Sequence, residues 1–127
     1  MKTKHVLTAS AILVVIGALL IASFSVWWRQ SYGRIPFDRR LWAEGDAHTR
    51  GRMIADLRSV ALTGMSESEV LNYLGDPDVI SDRPAFGTLD YYYHYQPRLP
   101  ITPFSESLLV EFDPVTRTVT RTVYGVD

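Results

Sequence analysis

The chain contains no cysteine. That absence excludes disulfides, a thiolate metal site and a lipid-accepting cysteine. A catalytic motif, an internal repeat and a low-complexity tract are missing as well. The three histidines, His5, His48 and His94, fall in unrelated segments without ligand spacing, which argues against a metal centre. Asp76 and Asp78 flank Pro77, but the rest of a calcium loop is lacking, so the pair reads as ordinary turn chemistry and no cofactor is expected. A basic stripe is missing too. Lys2 and Lys4 lie ahead of Arg29, which leaves eleven of the thirteen Lys/Arg against fourteen Asp/Glu and a net charge of −3 from there on. This balance argues against a nucleic-acid binder.

What is present begins with an apolar run. Val6 to Trp28 carries no charge and is mostly Ala, Val, Ile and Leu. At about 1.5 Å per residue it spans roughly 34 Å, enough for a bilayer core of about 30 Å. Trp27 and Trp28 close it as interfacial aromatics do, and Arg29 follows at once. The run lacks the polar face of a helix packed in a soluble core. A cleaved signal peptide is the alternative, with Lys2 and Lys4 as its basic start and Ser23 and Ser25 near a cut, but such apolar regions are usually about 7–15 residues long. We therefore expect an uncleaved anchor over residues 6–28. The arginines after it, Arg29, Arg34, Arg39 and Arg40, favour a cytoplasmic C-terminal part by strict count. The short basic tail before it favours export, which is the orientation expected here.

Residues 29–46 read as a linker with a short helical turn, in which Asp38 caps a turn holding Leu41 and Trp42 and Gly45 ends it. Met53, Leu57 and Val60, with Ile54 and Ala61 beside them, recur at helical spacing. They predict a helix over about Ala47 to Ala61, with Arg50, Arg52, Asp56 and Arg58 on its wet side and Gly51 weakening it by up to about 1 kcal/mol. The stretch from Gly64 to Pro77 specifies a second helix. Ser66 and Glu69 make a capping box, Met65 and Val70 a hydrophobic staple, Gly75 suits a left-handed position beyond the C-terminus, and Pro77 blocks continuation.

The period then changes from 3.6 to 2. Val79 to Ser81 predicts a short edge strand and Thr88 to Gln96 a strong one. In the latter Leu89, Tyr91, Tyr93 and Tyr95 face one way, and Asp90, Tyr92, His94 and Gln96 the other. Ser107 to Asp113 alternates with Leu108, Val110 and Phe112 inward. Asp113-Pro114-Val115-Thr116 is a turn, and Thr118 to Tyr124 a last strand. The expected fold class is α+β: an N-terminal transmembrane helix (1–28), then a domain over 47–127. In that domain two helices pack on one face of a three- to four-stranded antiparallel sheet.

Gly64-Met65-Ser66, Val70-Leu71, Leu74-Gly75-Asp76-Pro77, Tyr91-Tyr92-Tyr93-His94-Tyr95 and Leu108-Leu109-Val110-Glu111-Phe112-Asp113 follow one another in an order that resembles the SmpA/OmlA (BamE-like) domain, over about residues 62–125. The resemblance implies a two-layer sandwich and a non-enzymatic role in the bacterial cell envelope, through a protein partner. A related fold in secreted β-lactamase inhibitors implies an inhibitor-like binder as the alternative. The best-known member of the family is an accessory lipoprotein of outer-membrane β-barrel assembly; its lipidated cysteine is missing here, and residues 37–61 do not follow that member's pattern. A small hydrolase using His94 is a further alternative, although the sequence offers it no evident nucleophile.

Two places are candidates for partner binding. The Pro97–Ser105 connection carries Leu99, Ile101 and Phe104 between Pro97, Pro100 and Pro103. These apolar side chains need cover, either by folding back on the sheet edge or from a partner. Tyr92 and His94 share the strand face that alternation leaves away from the core.

Overall fold

In the computed structural model, which describes residues 2–99 and 104–126, the apolar run is helical over Lys2–Tyr32 (α1). Thr8–Tyr32 is long and apolar enough to cross a membrane. The helix runs one turn beyond the expected Trp28 because no breaker intervenes before Gly33, whose N–H closes on the Arg29 carbonyl at 2.9 Å. Phe24, Trp27, Trp28 and Tyr32 touch one another along the last turns, with the Trp28 and Tyr32 rings 4.6 Å apart. Such a cluster suits the headgroup layer of a bilayer. Met1–Gly33 and Arg34–Asp127 are separate units.

The second unit starts earlier than the 29–46 linker boundary implied. The Ile35 N–H donates to the Arg52 carbonyl and the Phe37 N–H to the Asp56 carboxylate, at 3.1 and 2.6 Å. Asp38 then caps Arg39–Glu44 (α2) by accepting from the Leu41 N–H at 2.8 Å, and Trp42 on that helix is fully buried. This segment is core because Phe37 stacks on Tyr73 at 4.8 Å and sets Trp42 among the helices.

Asp46 caps Ala47–Leu57 (α3) through the Thr49 N–H at 2.7 Å, a bond that holds its carboxyl below the usual range. The helix stops at Leu57, four residues short of Ala61. Ser59 and Val60 turn their N–H groups onto the Asp56 and Leu57 carbonyls, and the tighter turn sends Leu62 back into the core. Gly51 has a packing reason. A Cβ there would lie 1.6 Å from the Gln96 carbonyl oxygen, so only glycine lets α3 approach the end of the central strand.

Glu67–Leu74 (α4) has both halves of the capping box: the Ser66 hydroxyl accepts from the Glu69 N–H at 3.2 Å, and the Glu69 carboxylate accepts from the Ser66 N–H at 2.7 Å. Gly75 has φ 75° but ψ −167°, an extended exit rather than the left-handed one expected. Around the start of the helix, Gly64, Met65 and Glu67 exchange backbone bonds with Arg117 and Val119, tying it to the last strand.

Val79–Arg83 (β1), Thr88–Tyr95 (β2), Glu106–Phe112 (β3) and Val119–Val126 (β4) form an antiparallel sheet in the order β1-β2-β3-β4. The predicted alternation holds: Leu89, Tyr91, Tyr93 and Tyr95 are buried with Leu108, Val110 and Phe112 against Trp42, Met53, Leu57, Val70 and Leu74. The tyrosines tolerate burial because each hydroxyl finds a partner: Glu67 for Tyr91, the Gly75 carbonyl for Tyr93 at 3.0 Å, and Glu106 for Tyr95 at 2.9 Å. Burial and an adjacent carboxylate push Tyr91 and Tyr95 up to about 12.

Arg50 corrects the sequence reading. Instead of facing water it is folded inward, its side chain 12% exposed. Its Nε donates to the Trp42 carbonyl at 2.8 Å, and its Nη1 to Asp78 at 2.7 Å and to the His94 carbonyl at 3.2 Å. Asp78, assigned only to turn chemistry, also accepts from the His94 N–H at 2.8 Å.

Two stability predictions follow from this packing, each read by denaturant titration. Ser66→Ala is expected to cost about 0.5–2 kcal/mol, and Leu74→Ala about 2–5 kcal/mol; equally small effects would place α4 outside the core. Arg50→Lys, which retains the charge but not the fork of donors, is expected to lose about 1.5–3 kcal/mol. A loss as small as that of Arg40→Lys, an exposed residue, would show that the three acceptors do not depend on Arg50.

Candidate interaction surface

The face of the sheet turned away from α2, α3 and α4 is built by strand alternation and by the pairing register. On β2 it presents Thr88, Asp90, Tyr92 and His94; on β3, Ser107, Leu109 and Glu111. The register sets these residues in rows across the strands. Val79, Tyr92, Leu109 and Val123 are direct neighbours on four successive strands and make one apolar row. Val79 is 46% exposed, Tyr92 and Val123 are half-buried, and Leu109 in the middle is buried. On one side of this row runs Ser81, Asp90, Glu111 and Arg121; on the other, His94 and Ser107.

The charged row is unbalanced at its centre. Asp90 and Glu111 stand directly opposite each other, an arrangement that costs free energy in a sheet. Arg121 donates to Glu111 at 2.8 Å. Asp90 has one carboxylate oxygen buried and unpartnered among the described residues. Burial, and then the charge of Glu111, raise its pKa, while Arg83 and Arg121 work in the opposite sense.

The other flank holds a pairing that sequence reasoning missed. His94 is exposed, and its Nδ1 lies 2.7 Å from Ser107 Oγ, the hydroxyl of a buried serine. Alternation assigns Ser107 to the outer face, but only the β2–β3 register sets it beside His94.

Of the loop residues expected to bind, Phe104 is 71% exposed and Leu99 is half-buried, whereas Ile101 lies outside the described residues. Tyr95 pairs with Glu106, so the loop leaves and re-enters the sheet at the end marked by His94 and Ser107. The structure thus brings Tyr92 and His94 onto one face and sets Phe104 two residues ahead of β3. Behind that end, on the helical side, a cavity of about 380 Å³ is lined by Arg34, Arg58, Arg98, Tyr95 and Glu106.

No family model, curated protein or solved structure matches this chain.

The strained carboxylate gives a pH prediction. With its folded pKa above the unfolded value, the native state binds the proton more tightly, so the contribution of Asp90 to stability falls as pH rises through about 4 and beyond. Asp90→Asn is expected to raise the thermal midpoint of dilute protein at pH 7, with the gain vanishing below about pH 4. An unchanged or lowered midpoint at pH 7 would show that the Asp90 charge is already compensated.

Proposed function

We propose that this chain is a non-enzymatic, single-pass membrane protein. In this reading the apolar helix stays attached as an anchor, and the α+β unit works outside the cytoplasm as a protein-binding module in the assembly or maintenance of the bacterial cell envelope and its outer-membrane proteins. The observation that carries the reading is the combination of a helix long and apolar enough to span a bilayer with a small sandwich whose prominent exposed features are an open sheet face and an apolar loop end. The resemblance of residues 62–125 to the SmpA/OmlA domain supports the envelope setting, and Phe104 is the contact expected to meet a protein partner. Aromatic side chains, phenylalanine among them, are enriched where proteins meet.

The Ser107–His94 pair is the one observation that favours a hydrolase, and the geometry works against it. The serine hydroxyl is buried, the contact runs through Nδ1, and among the described residues no carboxylate orients Nε2. We read the pair as satisfying a buried hydroxyl. Ser107→Ala and His94→Ala are expected to leave any background hydrolysis of an activated ester unchanged; a parallel loss of activity in both would favour the hydrolase.

Three measurements in cells test the main reading. A reporter fused after Asp127 is expected to be active only in its exported form, and cytoplasmic activity would overturn the orientation. Sequencing of the mature N-terminus is expected to recover residues ahead of Val6, and a start near Val26 would overturn the anchor. A photo-crosslinker at Phe104 is expected to capture one envelope protein, with Phe104→Glu abolishing its co-purification while the domain remains folded. Unfolding by Phe104→Glu would assign the side chain to the core.

A further inference from the structure

We infer that the open sheet face is a self-complementary surface that pairs two copies of this chain, with Tyr92 near a two-fold axis and Asp90 of each copy facing His94 of the other. Symmetry limits the ways in which such a face can meet itself. Sheets pack face to face with their strands roughly aligned, about 10 Å apart. Two in-plane two-fold axes can bring this face onto itself. An axis parallel to the strands sets the Asp90–Glu111 row of one copy on the same row of the other, carboxylate against carboxylate. An axis along the Val79, Tyr92, Leu109 and Val123 row superposes apolar on apolar and exchanges the flanking rows. Asp90 and His94 are equidistant from Tyr92 along β2, so each Asp90 then meets a His94, and Glu111 meets the Ser107 position. Charge selects the second arrangement.

The loose ends of the face are those this pairing would meet. Within one copy, Arg121 bonds to Glu111, whereas Asp90 keeps one buried carboxylate oxygen without a partner among the described residues. His94 uses Nδ1 on Ser107, and Nε2 is left without a partner among the described residues. The area is adequate for a reversible dimer. Four strands about 4.8 Å apart and three rows about 7 Å apart make a face of roughly 400 Å². Allowing for side-chain relief, the pair buries on the order of 1,000 Å², the lower end for specific association. Pairing through this face leaves Phe104 available for a different protein.

The lack of native cysteine makes single-cysteine cross-linking direct. In the full chain in detergent micelles, Tyr92→Cys is expected to cross-link to itself through a short bis-maleimide at least tenfold faster than Val115→Cys, a turn residue that is 87% exposed. Asp90→Cys mixed with His94→Cys is expected to give the mixed product in excess of either self-product. Sedimentation equilibrium is expected to show dimer formation weakened at least tenfold by Asp90→Lys and returned to within about threefold of the original by Asp90→Lys with His94→Asp, a rescue that association through α1 alone would not produce. The inference is overturned if Tyr92→Cys reacts no faster than Val115→Cys, if the self-products of Asp90→Cys dominate, or if the double exchange is no better than Asp90→Lys alone. None of these measurements depends on membrane orientation or on an envelope partner, so their failure leaves the reading under Proposed function standing, and the reverse is also true.

Discussion

The guanidinium of Arg50 is the point at which the layers of this domain are joined. It reaches from α3 to the Trp42 carbonyl on α2, to Asp78 in the segment between α4 and β1, and to the His94 carbonyl on β2, while its carbon lies 5.4 Å from the Trp42 ring centre. A desolvated cation is tolerated when acceptors meet its donors, and here three acceptors from separate parts of the chain meet those of Nε and Nη1. The same Asp78 carboxylate holds the His94 N–H, so the end of β2 that carries His94 is fixed by the bond that fixes the helices. The absence of a side chain at Gly51, one residue along α3, lets that helix come close enough for the network to close.

That joint explains the one-sidedness of the fold. Three short helices and a four-stranded sheet supply one apolar interface, and the inner face of the sheet uses all of it: Leu89, Tyr91, Tyr93 and Tyr95 meet Trp42, Met53, Val70 and Leu74. A domain of this size is built from two layers, and here they meet on the inner face of the sheet. The outer residues are consequently governed by their cross-strand neighbours alone. Where the register sets Asp90 opposite Glu111 the result is a carboxylate with one buried oxygen unpartnered among the described residues, and where it sets His94 opposite Ser107 the result is a satisfied hydroxyl. The open face is thus the remainder of the core-forming pattern.

The chain itself determined the local structure, because the signals involved are short-range. Asp38 and Ser66 cap helices by bonds to N–H groups three residues away and were legible as patterns of neighbouring residues, whereas the equivalent cap at Asp46 was missed. Alternation along β2 assigned the buried tyrosines correctly for the same reason, since a pleated strand turns successive side chains to opposite faces whatever surrounds it. The length and apolarity of α1 are likewise properties of one segment.

Only the tertiary structure decided what depends on partners distant in sequence. Arg50 sits at a position that helical periodicity assigns to water. Its inward turn is set by acceptors 8, 28 and 44 residues away, which no local pattern encodes. The stretch from Ile35 to Trp42 looks like a linker because it is short and contains Pro36, and it becomes core through bonds to α3 and stacking on Tyr73. The face that carries Tyr92 was readable from alternation, but its neighbours were not. A strand's own period is unchanged by sliding it two residues along its partner, so the row joining Val79, Tyr92, Leu109 and Val123, and the meeting of His94 with Ser107, exist only once four strands have chosen a common register.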